Sequence, residues 1–181
     1  MRSYAALLRG IAPSGTNMTN DKLRGVFERL GFSEVASVLA SGNIVFRSEL
    51  TDVPFVEQRI EASLTADLGL SSRTIVRDHR ELRDLVGSEP FGGLTHGVET
   101  YLTASFLKNP ATAPGVIPER LDPGTRLVRY DAGAGAVLAV IDNTAPERAR
   151  GFMRWLDSTF GKDVTTRSWL TVQRIVRTLE S

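Results

Sequence analysis

The stretch YAALLRGI, residues Tyr4–Ile11, joins a run of apolar residues to an arginine and a glycine. An uninterrupted apolar run of this length is typical of a strand that is buried on both faces. Polar and glycine residues at the end of a strand are where functional sites are usually built. The stretch therefore predicts the first strand of a sheet, with Arg9 and Gly10 at its carboxyl end as candidate site residues.

The residues that follow this strand predict a β-α-β-β-α-β order, the ferredoxin-like or split-βαβ arrangement. Apolar residues at helical spacing indicate a first helix, which Thr19 or Asn20 can cap and Gly31 can close. Ser41-Gly42-Asn43 supplies the turn of a hairpin, and Pro54 suits the first turn of a second helix. The predicted elements are strands over 4–8, 35–39, 44–47 and 72–77 and helices over 20–30 and 54–68.

A helix over 78–87 follows, with Asp78 and Glu81 at the spacing of a capping box. The glycine-rich loop Glu89–Gly97 is the expected boundary between two domains, residues 1–88 and residues 98–181. The second domain is predicted to repeat the order of the first by topology, without a residue-level repeat. Its predicted elements are strands over 100–107, 125–130, 136–141 and 163–166, a helical turn over 119–121, and helices over 149–160 and 169–179.

The fold class predicted by this order is α+β, with two ferredoxin-like halves packed together and an extra C-terminal helix. Tyr4–Leu8 and Ala136–Ile141 are apolar on both faces, so either the halves cover each other's sheets or extra helices do. An RNA-recognition sheet needs exposed aromatic residues on its central strands. Only Tyr4 and Phe46 are available, and we expect one of them to face the core.

Composition excludes several classes of protein. Hydrophobic residues make up 41% and charged residues 24%, which is typical of a globular protein, and the net charge of +1 gives no strong field for nucleic acid or membrane. Cysteine is absent, which excludes disulfides, thiolate catalysis and zinc–thiolate sites. Neither a signal-peptide core nor a long apolar run is present, so a cytoplasmic protein is the default expectation. The sequence predicts no cofactor, no metal and no membrane partner, and it leaves the oligomeric state open.

The first candidate site combines Arg9 and Gly10 with Ser41, Gly42 and Asn43. In a split-βαβ unit the end of the first strand and the hairpin between the second and third strands lie at the same end of the sheet. A guanidinium, a hydroxyl, an amide and glycine backbone groups would then meet there, which suits an anion or a polar base edge. The structural alternative is an ordinary loop and hairpin turn, with Arg9 neutralising a carboxylate.

The second candidate site is the closing segment Thr165–Trp169, which precedes an amphipathic helix. Ser168 can cap that helix, and the free N–H groups of a helix start attract anions. Thr166 and Arg167 would add a hydroxyl and a guanidinium, and Trp169 could stack on a planar ligand. The alternative is that Ser168 only caps its helix and Trp169 packs at a domain interface.

Other motifs give weaker signals. His79 and His96 lack metal-ligand spacing to another histidine, and nothing in the sequence pairs His96 with a nucleophile. Gly133-Ala134-Gly135 leads into a strand instead of a helix, which favours a hairpin over a dinucleotide fingerprint. His96 stays open as a general base, and the sequence leaves the catalytic residues unknown.

The order of these motifs resembles domain-of-unknown-function family 1697 over nearly the whole chain. The matching segments are Tyr4–Ile11, Ser41–Phe46, Glu89-Pro90-Phe91, and Thr166–Trp169 with Thr171. The resemblance implies a two-part α+β fold in a bacterial cytosolic protein and no established activity.

The chain departs from the family pattern at both candidate sites. Ala12-Pro13-Ser14-Gly15 stands where the family has Asn-Val-Gly-Gly, with a lysine nearby, and the closing motif has Ser168 and Leu170 in place of two asparagines. If these groups bind a ligand in relatives, the departures at Ala12, Pro13, Ser168 and Leu170 weaken, alter or abolish that site.

Three functions remain open from the sequence. The leading hypothesis is a binding module for a phosphate-bearing ligand, either a nucleotide or single-stranded nucleic acid. The second is a metal-independent enzyme acting on a phosphorylated or nucleotide substrate. The third is a scaffold or oligomeric interaction protein in which these motifs serve only the fold and an interface.

Overall fold

The computed structural model describes residues 1–112, 118, 120–144 and 146–181. The chain divides into two compact units, one made of Met1–Leu82 with Arg174–Ser181 and the other of Arg83–Gln173. Within the described residues the architecture is mixed α+β, with two antiparallel sheets and five α-helices. The expected domain bounds, 1–88 and 98–181, stay a prediction.

The first unit contains the predicted β-α-β-β-α-β order, and a third helix follows it. Its sheet has the order β2-β3-β1-β4, and every neighbouring pair is antiparallel. The third strand therefore lies between the first two, as the split-βαβ prediction requires. The elements are β1 (Arg2–Leu8), α1 (Asn20–Arg29), β2 (Ser33–Ser37), β3 (Asn43–Ser48), α2 (Val53–Leu68), β4 (Thr74–Asp78) and α3 (His79–Gly87), whose residues from Arg83 onward belong to the second unit.

The aromatic residues of this sheet lie in the core. Tyr4 and Phe46 stack with ring centroids 5.6 Å apart, and Phe46 also contacts Phe27 at 5.4 Å and Phe32 at 4.6 Å. All four rings belong to the hydrophobic cluster that α1 and α2 share with the sheet. Tyr4 and Phe46 thus both face the core, where the sequence predicted this of only one.

Helix ends in the first unit follow the sequence signals with one exception. Asp52 caps α2 by accepting from the Phe55 N–H at 3.1 Å. Asp78 and Glu81 form the predicted capping box, with the Asp78 N–H donating to Glu81 at 2.7 Å. Thr19 occupies the N-cap position of α1, but its side chain makes no capping hydrogen bond.

Two glutamates of α2 accept hydrogen bonds from main-chain N–H groups at the outer edge of the first sheet. Glu57 accepts a hydrogen bond from the Val76 N–H and Glu61 accepts one from the Thr74 N–H, both at 2.8 Å. Strand β4 is an edge strand, whose outer N–H groups have no neighbouring strand to pair with. The i, i+4 spacing of the two glutamates puts both carboxylates on the helix face that lies over β4.

The second unit has a five-stranded sheet in the order β6-β7-β8-β5-β9. The predicted helical turn over 119–121 is wrong where it can be compared, because residues 120–122 form a strand that pairs with β7. Glu119 and most of the proline-rich segment 110–118 lie outside the described residues. The elements are β5 (Thr100–Leu107), a 3₁₀ turn (Pro110–Thr112), β6 (Arg120–Asp122), β7 (Thr125–Asp131), β8 (Ala136–Asp142), α4 (Pro146–Phe160), β9 (Val164–Ser168) and α5 (Trp169–Leu179), whose residues from Arg174 onward belong to the first unit.

The core of the second unit lies between α4 and one face of this sheet. Phe152 and Leu156 of the helix are buried against Val137, Ala139 and Ile141 of β8. None of the described helices in either unit combines the length and the apolar character that a membrane span requires.

Candidate functional site

Main-chain hydrogen bonds assemble the first candidate site at one end of the first sheet. The Leu8 N–H donates to the Gly42 carbonyl oxygen and the Arg9 N–H to the Arg73 carbonyl oxygen, both at 2.8 Å. The Ser72 hydroxyl donates to the Arg9 carbonyl oxygen at 2.7 Å. We call residues 9–10, 41–43 and 72–73 the first-unit rim. Two motifs about thirty residues apart in sequence therefore meet, as the predicted topology requires.

Gly42 permits the close approach of the hairpin to the end of β1. Its φ is +75°, and a Cβ atom at this position would lie 2.8 Å from the Ile11 Cβ and 3.1 Å from the Leu8 Cβ. Gly10 has a similar φ of +76°, but no other residue lies within 4 Å of the position a Cβ would take. Gly42 is thus required for packing as well as conformation, whereas Gly10 is required for conformation alone.

Asn43 is buried, and its amide holds the hairpin together. The Nδ2 group donates to the Val38 carbonyl oxygen and to the Ser41 hydroxyl, both at 3.0 Å. These bonds tie the second strand to the third across the turn. Asn43 therefore fixes the position of Ser41 at the rim.

The start of α1 and the loop before it adjoin this rim. The Asn20 amide donates to the Leu39 carbonyl oxygen in the hairpin loop at 3.1 Å, which ties the first turn of the helix to the hairpin. Asn17 donates to the Leu68 carbonyl oxygen at 3.1 Å and accepts from the Lys22 ammonium at 2.7 Å. Asn17 and Leu39 both have a φ of +62°, a conformation that is strained for residues other than glycine.

Several basic residues lie around the rim. Arg9 is half-buried, and Arg73 faces Glu61 at 3.6 Å. Arg24 pairs with Asp21 in the first turns of α1, whereas Lys22 donates to a neutral amide. Sequence patterns did not indicate Lys22, Arg73, Asn17 or Asn20 as residues of this site. The topology could have indicated Arg73, because β4 starts at the end of the sheet where β1 finishes.

The closing motif lies in the second unit, with Thr166, Arg167 and Ser168 in β9 and Trp169 at the start of α5. The Arg167 Nη1 group donates to the Thr165 hydroxyl at 2.8 Å and to the Thr166 carbonyl oxygen at 3.0 Å. The Thr166 hydroxyl is 2.8 Å from that of Ser105 on β5. Burial lowers the pKa of Arg167 to about 10, so its guanidinium stays charged at neutral pH in a poorly solvated position.

Ser168 and Trp169 both make contacts within the second unit, one as a helix cap and the other by ring packing. Ser168 caps α5, because its hydroxyl accepts from the Thr171 N–H at 3.3 Å and lies 2.9 Å from the Thr171 hydroxyl. Trp169 is 7% exposed and packs edge-on against Phe91, with ring centroids 5.0 Å apart. A ligand stacking on Trp169 would have to displace a neighbour or use the small area left exposed.

The histidines form no metal site in the described part of the chain, where no group of three or more acidic, histidine or cysteine side chains could hold an ion. His79 faces Glu180 at 3.6 Å. The Nδ1 atom of His96 accepts a hydrogen bond from the Leu102 N–H at 3.2 Å, which fixes the ring against β5.

The second unit has a cavity of about 420 Å³ whose lining residues belong to neither predicted motif. Glu99, Arg126 and Asp142 line it, and Asp142 accepts from the Thr144 N–H at 3.0 Å. Because this lining carries both negative and positive side chains, the cavity does not match the anion site that the sequence predicted.

These features define an α+β protein with two antiparallel sheets and a polar rim at one end of the first sheet. The chain belongs to the family described as protein of unknown function (DUF1697), whose model matches residues 1–124. The resemblance inferred from the motifs is thereby confirmed. The matched region includes the first-unit rim and ends before the closing motif.

Similarity to a solved structure concerns the fold. The conserved bacterial protein SP0830 from Streptococcus pneumoniae superposes with a TM-score of 0.71 at 17% sequence identity, covering 100% of this chain and 99% of that one. At this identity the likeness shows a shared fold and no more. Among curated proteins, none matches the chain.

Proposed function

We propose that the protein binds a phosphate-bearing ligand, a nucleotide or single-stranded nucleic acid, at the first-unit rim. The observation that carries the proposal is the main-chain bond at 2.8 Å from the Leu8 N–H to the Gly42 carbonyl oxygen, which brings the end of β1, next to Arg9, to the Ser41-Gly42-Asn43 hairpin. Gly10, the residue after Arg9, is exposed. This combination of a guanidinium, a hydroxyl and open backbone suits phosphate oxygens.

The start of α1 supports an anionic ligand at this rim. Because Thr19 makes no side-chain capping bond, its side chain does not satisfy the first N–H groups of the helix. The positive end of the helix dipole therefore lies beside the hairpin to which Asn20 is bonded. The Lys22 ammonium adds a full positive charge in the same turn.

The closing motif forms a second part of the proposal. The pKa of Arg167 is lowered by burial, so its charged guanidinium would gain from a nearby anion more than a solvated one would. Thr166, Ser168 and Trp169 adjoin it. Ser168 caps its helix and Trp169 packs against Phe91, so we expect the charge of Arg167 to contribute most to binding there.

We also infer that the two halves are ferredoxin-like duplicates. The Leu107 N–H donates to the Gly135 carbonyl oxygen at 2.9 Å and the Lys108 N–H to that of Asp163 at 2.8 Å, which repeats the bonds of Leu8 and Arg9. Arg167 also pairs with Ala104 as Arg77 pairs with Ala5. Between β5 and β7, however, the described residues hold a 3₁₀ turn and β6 where the first half has α1.

Calorimetric titration of ADP into Arg9→Gln tests the proposed function. Loss of a charged hydrogen bond of about 1.5–3 kcal/mol predicts at least tenfold weaker binding than in the parent protein. Arg2→Gln, at the opposite end of the same strand, is the matched control and should bind as the parent does. If the parent binds no phosphate ligand, the proposal fails and the scaffold hypothesis gains.

A further inference from the structure

We infer that the first-unit rim recognises the phosphate group of a small ligand, and reads neither a base nor a nucleic-acid strand. This inference rests on the proposed function and names its substrate class: phosphate monoesters and diphosphates, bound through the phosphate whatever the attached group. Three observations carry it, and all concern the first unit, whose residues are all described.

The first observation is that the rim offers no aromatic surface for stacking. Proteins that hold single strands stack successive bases on aromatic side chains. In the first unit Tyr4, Phe27, Phe32 and Phe46 are all buried in the core. Phe55 is exposed, but it lies in the first turn of α2, beyond the end of β3 opposite the hairpin. A strand lying along the rim would therefore lack its usual stacking partners.

The second observation is that the amide groups around the rim already serve the loops. Asn17, Asn20 and Asn43 each donate to a main-chain carbonyl oxygen, those of Leu68, Leu39 and Val38, at 3.0–3.1 Å. Asparagine reads adenine by donating and accepting at once, with both ends of its amide. Using these amides for a base would break bonds that hold α1, the hairpin and the end of α2 in position.

The third observation concerns the distribution of charge. A single strand is followed by a groove lined with many cations. At the rim two of the basic residues, Arg24 and Arg73, already face carboxylates. With Arg9 and Lys22 included, these four basic residues and the carboxylates of Asp21 and Glu61 give a local net charge of +2. That charge suits one or two phosphates and is too small for a strand.

Titration of the parent protein with pyrophosphate, ADP, CDP and a short oligo(dT) strand tests the inference. We expect dissociation constants for the first three within about threefold of each other, and no tighter binding of the strand. For the strand, the slope of the logarithm of the binding constant against the logarithm of the salt concentration should be no steeper than about −1.5, the value for two neutralised phosphates. Lys22→Gln, a substitution at an exposed residue, should weaken the binding of pyrophosphate, ADP and CDP by the same factor. Arg2→Gln should leave the binding of all three unchanged.

Two results would overturn the inference while leaving the proposed function in place. One is a preference of more than about tenfold between ADP and CDP, which would show that the base is read. The other is a strand that binds more than about tenfold tighter than ADP with a steeper salt slope. If none of the four ligands binds, both the inference and the proposed function fail.

Discussion

At the scale of single residues, Gly42 occupies a position in the first-unit rim that has no room for a Cβ atom. In Gly42→Ala the new Cβ would meet the Ile11 side chain at 2.8 Å, in addition to adopting a φ of +75°. We expect a loss of about 2–4 kcal/mol in the free energy of unfolding, from conformation and overpacking together. Urea denaturation measures it.

Gly10→Ala is the matched control, because Gly10 has nearly the same φ with open space around it. It should lose only the conformational part, about 1–2 kcal/mol. Equal losses in the two variants would mean that the contact with Ile11 relaxes without cost.

Arg167 allows a test of burial through pH. A basic side chain whose pKa is lower in the folded protein than in the unfolded protein reduces the free energy of unfolding while it is charged. This loss disappears as the pH rises from the pKa in the folded protein to the pKa in the unfolded protein. For Arg167 this window begins at about pH 10 and extends to more alkaline pH, which is beyond convenient measurement. Lysine has an ordinary pKa near 10.4, so the same burial places its window lower.

The free energy of unfolding of Arg167→Lys should therefore rise, relative to the parent protein, between about pH 8 and pH 10. Urea titrations at several pH values check the trend. A constant difference across this range would mean that the lysine ammonium reaches solvent.

At the scale of elements, α2 protects the edge of the first sheet through its glutamates. In Glu57→Ala the buried Val76 N–H loses its acceptor at 2.8 Å, which should cost about 1–3 kcal/mol of stability. Glu57→Gln keeps a carbonyl oxygen at this position and should lose less than half as much. Similar losses for both variants would show that the negative charge matters more than the hydrogen bond.

At the scale of the whole molecule, the last residues of the chain belong to the first compact unit. Ile175 and Val176 are buried, at 1% and 5% exposure. A chain ended after Gln173 loses both side chains, and we expect at least about 3 kcal/mol lower stability from the apolar burial removed. Thermal and urea denaturation measure it.

A chain ended after Leu179 serves as the control. It loses only Glu180 and Ser181, both exposed, and should keep nearly the stability of the parent protein. If the longer truncation were equally stable, the burial of Ile175 and Val176 would not contribute to folding.

Local patterns predicted most elements of the fold. The run Tyr4–Leu8, the turn at Gly42 and the capping box of Asp78 and Glu81 each depend on near neighbours in sequence, so their signals survive without tertiary information. The turn over 119–121 was mispredicted because strand β6 depends on pairing with β7, which no local pattern specifies. The expectation that Thr19 or Asn20 caps α1 gave no side-chain cap: the Thr19 side chain makes no capping hydrogen bond, and the Asn20 amide donates to the distant Leu39 carbonyl oxygen.

The sequence by itself determined the family, the β-α-β-β-α-β order of the first unit and the meeting of Arg9 with the Ser41-Gly42-Asn43 hairpin. These follow from periodicity, turn chemistry and the geometry of a split-βαβ sheet. Only the tertiary structure decided which polar groups are already engaged. Asn43 closes its own hairpin, Ser168 caps its helix, and Trp169 packs against Phe91, because hydrogen-bond partners and covering side chains come from segments whose proximity no local pattern encodes.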